Sequence, residues 1–224
     1  MSIINRPFKM DFYPKNKIPI ADVKKVIAIF YIVGFFGFVI PFTKALFIII
    51  TPFALLLNSY LLAVYHNKYT FKDIFFFLLI FLLGYVFEVI GVKTGLVFGC
   101  YTYGDALGLK LFETPVLIGV NWLFLTYTAI AITDDLKMKK WLAVFVAPLF
   151  MLMYDVVLEQ VAPKMDMWSW LNSEVPIRNY IAWYFISLCF MLLLKVFKIE
   201  TKNPLAAVLF ICQFVFFTLL TILL

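Results

Sequence analysis

Ile74-Phe-Phe-Phe-Leu-Leu-Ile-Phe-Leu-Leu-Gly84-Tyr-Val-Phe-Glu88-Val-Ile-Gly91-Val92 is an apolar run broken by a single charge, Glu88. A bilayer core takes ~20 apolar residues as a helix, so this run reads as a membrane span. Six more runs meet that test: Val23–Ile40, Ala45–Tyr65, Val116–Thr133, Trp141–Val161, Tyr180–Phe197 and Leu205–Leu224. The expected fold is all-α, a polytopic membrane bundle of about seven transmembrane helices. Residues 1–22 form a basic N-terminal segment, and 23–224 one helical domain. The first run lacks a convincing small-residue cleavage site and reads as a retained span.

Composition agrees. Hydrophobic residues make up 65% of the chain and charged residues 14%, against ~45–50% and ~25% in ordinary globular domains. The net charge of +6 does not imply a nucleic-acid partner. Its Lys and Arg residues lie mostly in the short connections, where they orient the chain and meet anionic lipid headgroups. Cys100, Cys189 and Cys212 are isolated, without zinc, haem or iron–sulfur spacing. No nucleotide, dinucleotide or nucleophile-elbow motif is present. The expectation is a site with no metal and no cofactor.

The N-terminus and the connections after spans two, four and six carry 14 of the 19 Lys and Arg residues; the opposite side carries 5. The positive-inside rule then places the N-terminus in the cytoplasm of a cell-membrane protein. Both long connections, 93–115 and 162–179, fall on the outer side, where function tends to sit. Five of the nine glycines lie between Gly91 and Gly108, which predicts a loop folded tightly over the bundle mouth. Gly91, Gly95 and Gly99 also fit a small-residue pattern for helix contact.

Six polar residues gather at the outer ends of the runs: Glu88, Asn121, Asp155, Glu159, Arg178 and Asn179. Charge near hydrocarbon marks a functional site by default. Asp155 and Glu159, four apart, share a helix face. Two carboxyls there repel when both ionise, so a retained proton is expected, and a carboxylic acid is a ready general acid. Arg178 is the expected ion-pair partner of one carboxylate, unless Lys164 and Arg178 simply hold both at headgroup level. Asn121, Trp122, Tyr180 and Trp183 share the depth of the carboxyls and are expected to line a pocket. His66, in a turn on the other side, is expected to be solvated, and Asp134 and Asp135 to be structural. Trp168 and Trp170 fit an interfacial aromatic belt.

Three blocks carry a resemblance. The first is Glu88-x-x-Gly91-x-x-Thr94-Gly95-x-x-Phe98-Gly99-x-Tyr101-x-Tyr103, continuing through Leu107-Gly108 to Pro115 and Trp122. The second runs from Asp155 through Glu159 and Pro163 to Trp168-Ser-Trp170, and the third is Pro176-x-x-Asn179-Tyr180-x-x-Trp183. In this order they resemble the integral-membrane carotenoid biosynthesis proteins that include the CruF-type carotenoid 1,2-hydratases. Val97 stands where Pro is expected, Ser173-Glu174-Val175 replaces an aromatic–Gly stretch, and Ala182 replaces a Gly. The resemblance implies addition of water to the terminal C1=C2 bond of an acyclic carotenoid end, giving a tertiary 1-hydroxy group. Asp155 or Glu88 would supply the proton and Glu159 would assist. Thr94, Phe98, Tyr101 and Tyr103 would join the substrate-binding residues. The implied partners are a carotenoid substrate, membrane lipid and other carotenoid-biosynthesis enzymes. A non-catalytic carotenoid-binding or assembly protein is the alternative. A proton-coupled carrier fits less well, because it would need polar groups throughout the membrane depth.

Overall fold

A computed structural model describes residues 7–9 and 12–224. These form seven long helices: α1 (Ile20–Val39), α2 (Pro41–Tyr65), α3 (Phe71–Thr94), α4 (Leu117–Asp135), α5 (Lys140–Val161), α6 (Ile177–Val196) and α7 (Ala206–Leu223). Helices α2 to α7 are long and apolar enough to cross a membrane; α1 carries Asp22, Lys24 and Lys25 in its first two turns. Large apolar side chains such as Phe53, Phe75, Leu78, Phe185 and Ile222 point outward. A soluble protein would not leave so wide an apolar surface uncovered. The chain is an integral membrane protein. Of the basic N-terminal segment, residues 1–6, 10 and 11 lie outside the described residues.

Helix α4 forms the centre of the bundle, packing against α2, α3, α5, α6 and α7. Its apolar window is 78% buried, against 28% for α2 and for α3. It is also the least apolar of the six candidate spans, as suits a helix whose neighbours are protein rather than lipid. Gly84 lets α3 approach it closely: a Cβ there would lie 2.6 Å from Trp122 Cβ. That contact sits one turn before Glu88.

Pro41-Phe-Thr-Lys44, which lies between the first two apolar runs of the sequence, forms the first turn of α2, with Pro41 where a helix needs no N–H. Helix α3 starts on a capping box: Thr70 Oγ1 accepts from Asp73 N, and Asp73 Oδ2 accepts from Thr70 N at 2.8 Å. It ends at Gly95, whose φ is 63°. The chain between α3 and α4 carries β1 (Tyr101–Tyr103), β2 (Lys110–Leu111) and β3 (Thr114–Pro115); that between α5 and α6 carries β4 (Trp168–Trp170). Strands β1 and β4 pair antiparallel, Tyr101 opposite Trp170 and Tyr103 opposite Trp168. The two long connections therefore form one ribbon over one end of the bundle.

At the opposite end His66 is buried, not solvated as the sequence led us to expect. Its Nδ1 lies 2.7 Å from the Tyr127 hydroxyl, and its ring packs on Tyr69 and Phe77. Asp134 pairs with Lys195, a structural role as expected.

Candidate functional site

A two-residue repeat builds the site. In a strand, alternate side chains share a face. Tyr101 and Tyr103 of β1 therefore point the same way, as do Trp168 and Trp170 of β4, while Thr102 and Ser169 point outward. The inner face thus presents two phenols and two indoles to the ends of α3 and α5.

Glu88, on α3, is buried and accepts three hydrogen bonds. Trp122 Nε1 donates to Oε1 at 2.8 Å, and the Tyr101 and Tyr103 hydroxyls donate to Oε2 at 2.6 and 2.7 Å. Glu159, on α5, also accepts three. Trp170 and Trp168 Nε1 donate to Oε2 at 2.7 and 3.0 Å, and Asn179 Nδ2 donates to Oε1 at 3.2 Å. Asp155, one turn earlier on α5, is fully buried. Among the described residues it accepts only from Asn179 Nδ2, at 2.9 Å to Oδ2, and its Oδ1 has no partner. One amide, Asn179, therefore bridges the two carboxyls of α5. Burial, and next the charge of Glu88, push the Tyr101 and Tyr103 phenols well above their ordinary value, so both remain O–H donors.

All the donors to these carboxyls are neutral. Among the described residues no ion pair includes Glu88, Asp155 or Glu159. Arg178, expected to hold a carboxylate, is exposed and in none of those pairs, because the first turn of α6 turns Asn179 inward instead. Thr94 is exposed and bonds Ile90 O of its own helix, so it finishes α3 and lies away from the carboxyls. Phe98 is buried against Tyr101 and Gly91. A Cβ on Gly91 would lie 2.6 Å from the Phe98 ring; this glycine serves loop closure rather than helix contact. Trp183 stacks on Trp122, centroids 4.2 Å apart. Tyr180 is half-buried in the first turn of α6, one residue after Asn179. Among the described residues no three His, Cys, Asp or Glu side chains are placed to hold a metal ion.

Sequence reasoning misses Trp168 and Trp170 as site residues; the Trp-x-Trp spacing opposite Tyr-x-Tyr is the available signal. Of the four residues expected to line a pocket, Asn121 alone lines the cavity of about 440 Å³ that lies among α1, α2, α4, α5 and α7, with apolar walls; Trp122, Tyr180 and Trp183 do not. Asn121, Tyr154 and Trp168 line it; Glu88, Asp155 and Glu159 do not. Trp168 belongs to both places, facing the cavity while its Nε1 holds Glu159.

The fold and site define an integral membrane protein with buried, uncompensated carboxyls beside an apolar cavity. Residues 43–224 match the model of the carotenoid biosynthesis protein family, and the chain belongs to that family. No curated protein and no solved structure matches the chain.

Proposed function

We propose that the protein is a carotenoid 1,2-hydratase that adds water, without a cofactor, to the terminal double bond of an acyclic carotenoid end. The observation that carries this reading is the set of three buried carboxyls held by neutral donors alone. Buried anions are costly without a counter-charge. A site built this way is complementary to positive charge that appears only during a reaction.

Asp155 is the acid in this scheme. Glu88 and Glu159 each accept three donors, and an ionised carboxylate is acceptor-only. Asp155 has one donor and a free Oδ1, the arrangement that leaves an O–H to give. Its proton adds to C2 of the alkene, whose π electrons form the new C–H bond and leave a tertiary cation at C1. The carboxylates of Glu88 and Glu159 and the aromatic faces around them stabilise that cation. Water bonds to C1 through oxygen and releases a proton to the carboxylate left on Asp155, which restores the acid. The balance is alkene plus water to tertiary alcohol.

The test is expression in a carotenoid-producing host that lacks hydratase activity, with mass analysis of its pigments. A product heavier by one water supports the reading, and an unchanged pigment profile with the protein inserted contradicts it. A non-catalytic carotenoid-binding or assembly protein is favoured by one fact, that the carboxyls do not line the cavity. Assembly with other enzymes of the pathway, a cell-membrane location and a cytoplasmic N-terminus complete the proposal.

A further inference from the structure

We infer that the cavity among α1, α2 and α7 takes one end of an acyclic polyene directly from the membrane while the rest of the chain stays in lipid. This rests on the hydratase reading for its ligand class, and on the geometry below for the mode of binding.

The cavity runs from mid-helix Asn58 and Gln213 toward Leu107 and Met167 beside the ribbon. Its rim includes Val33 of α1 and Ile50, Phe53 and Leu57 of α2, all exposed on the outer surface of the bundle. The opening therefore faces the bilayer between α1 and α2, the route by which an apolar molecule dissolved in lipid would arrive. At ~30 Å³ per small group, the volume a water takes in the liquid, the 440 Å³ hold roughly 15 heavy atoms. That is one end of a forty-carbon chain. The remainder would leave through the α1–α2 opening into lipid, so the chemistry of the far end should not affect binding.

The walls are polar at two places. At mid-depth Asn58, Tyr31, Gln213 and Tyr154 bond one another in a chain, with Tyr31 donating to Gln213 at 3.1 Å. These groups satisfy themselves. Asn121 does not: it is 6% exposed, faces the cavity and makes no hydrogen bond among the described residues. Its amide is open to the cavity rather than sealed off, and so can meet the oxygen that the end group acquires. Asn121 precedes Trp122, the indole that holds Glu88. The cavity and the carboxyls are thus joined through α4.

Gly34 gives a clean test. It lines the cavity, and a Cβ there would meet only the Phe216 ring at an ordinary 3.5 Å. Gly34→Leu should therefore fill the cavity without moving a helix, and Ala54→Phe fills the same space from α2. The full-length protein is reconstituted in lipid nanodiscs with an acyclic C40 polyene hydrocarbon, or with its one-end-cyclised counterpart. Bound pigment is read by visible absorbance after repurification. Wild type and the outer-face variant Ser169→Ala should retain both pigments equally well per open end. Gly34→Leu and Ala54→Phe should each retain at least about tenfold less. Normal retention by both filled variants would overturn the inference. So would rejection of the one-end-cyclised pigment, or wild-type uptake no greater than that of empty nanodiscs, which would mean that only lipid chains fill the cavity. Full hydration by Asp155→Asn would remove the acid assignment and leave these binding results standing.

Discussion

Replacing Glu88 by glutamine keeps the shape of the side chain and removes the charge that three donors share. Trp122 Nε1 can only donate, so the NH2 of the new amide cannot face it. The amide oxygen must turn to Trp122, which leaves NH2 against the two phenols that donate to Oε2 in the wild type. Those hydroxyls have to turn and accept, and both lose a carboxylate acceptor. Hydrogen bonds to charged groups contribute about 1.5–3 kcal/mol each and neutral ones about 0.5–1.5. Part of the new set is still made, so the net loss is about 2–5 kcal/mol. That is a large share of a typical stability of about 5–15 kcal/mol, and it corresponds to a fall in Tm of about 4–20 °C at this chain length. The assay is thermal unfolding of the detergent-solubilised full chain, run as a double-mutant cycle of Glu88→Gln with Trp122→Phe. A coupling of about 0.5–3 kcal/mol is expected for groups in direct contact. A Tm indistinguishable from wild type together with zero coupling would refute the view that Glu88 is an ionised acceptor.

Trp170→Phe deletes the 2.7 Å bond to Glu159 and should cost about 1.5–3 kcal/mol, whereas Ser169→Ala on the outer face of the same strand should leave Tm unchanged. His66 is held in its neutral form because burial lowers its proton affinity, opposed in part by a backbone hydrogen bond and by Asp73. The unfolded chain therefore binds the extra proton first, so stability should be full above pH ~6.5 and fall as pH drops below it. Melts about one pH unit above and below that value should show the loss in wild type, with a smaller loss in His66→Gln. Cys100 is exposed in the connection before β1, so a membrane-impermeant maleimide should label it from outside the cell. Labelling only in inverted vesicles would reverse the proposed orientation.

The helices are legible in the sequence because each span is a long apolar run, and a run needs no knowledge of its neighbours. The carboxyls are legible for the same reason, since Glu88, Asp155 and Glu159 interrupt such runs. Their partners are harder to see. By charge Arg178 is the natural counter-ion, but Asn179, one residue later, faces inward on the first turn of α6. Only the helix phase decides between them. The Tyr101–Trp170 ribbon pairs segments almost 70 residues apart, and three-residue strands carry too little alternation to declare themselves. His66 reads as solvated because its turn is polar in sequence; Tyr69, Phe77 and Tyr127 cover it, and the last of these comes from a distant helix. The cavity wall of Asn58, Tyr31, Gln213 and Tyr154 draws one residue from each of four helices, and no local pattern marks it.

In the proposed reaction the buried carboxyls perform acid chemistry on the alkene. The decisive comparison is hydrated pigment formed per unit of membrane-inserted protein in wild type and in Asp155→Asn. An amide at position 155 can keep the bond to Asn179 but carries no acidic proton. A positioned acid contributes about 10²–10⁴-fold, so the variant should retain at most about one-hundredth of the wild-type yield while inserting and binding pigment normally. Near-normal yield from Asp155→Asn would contradict the account.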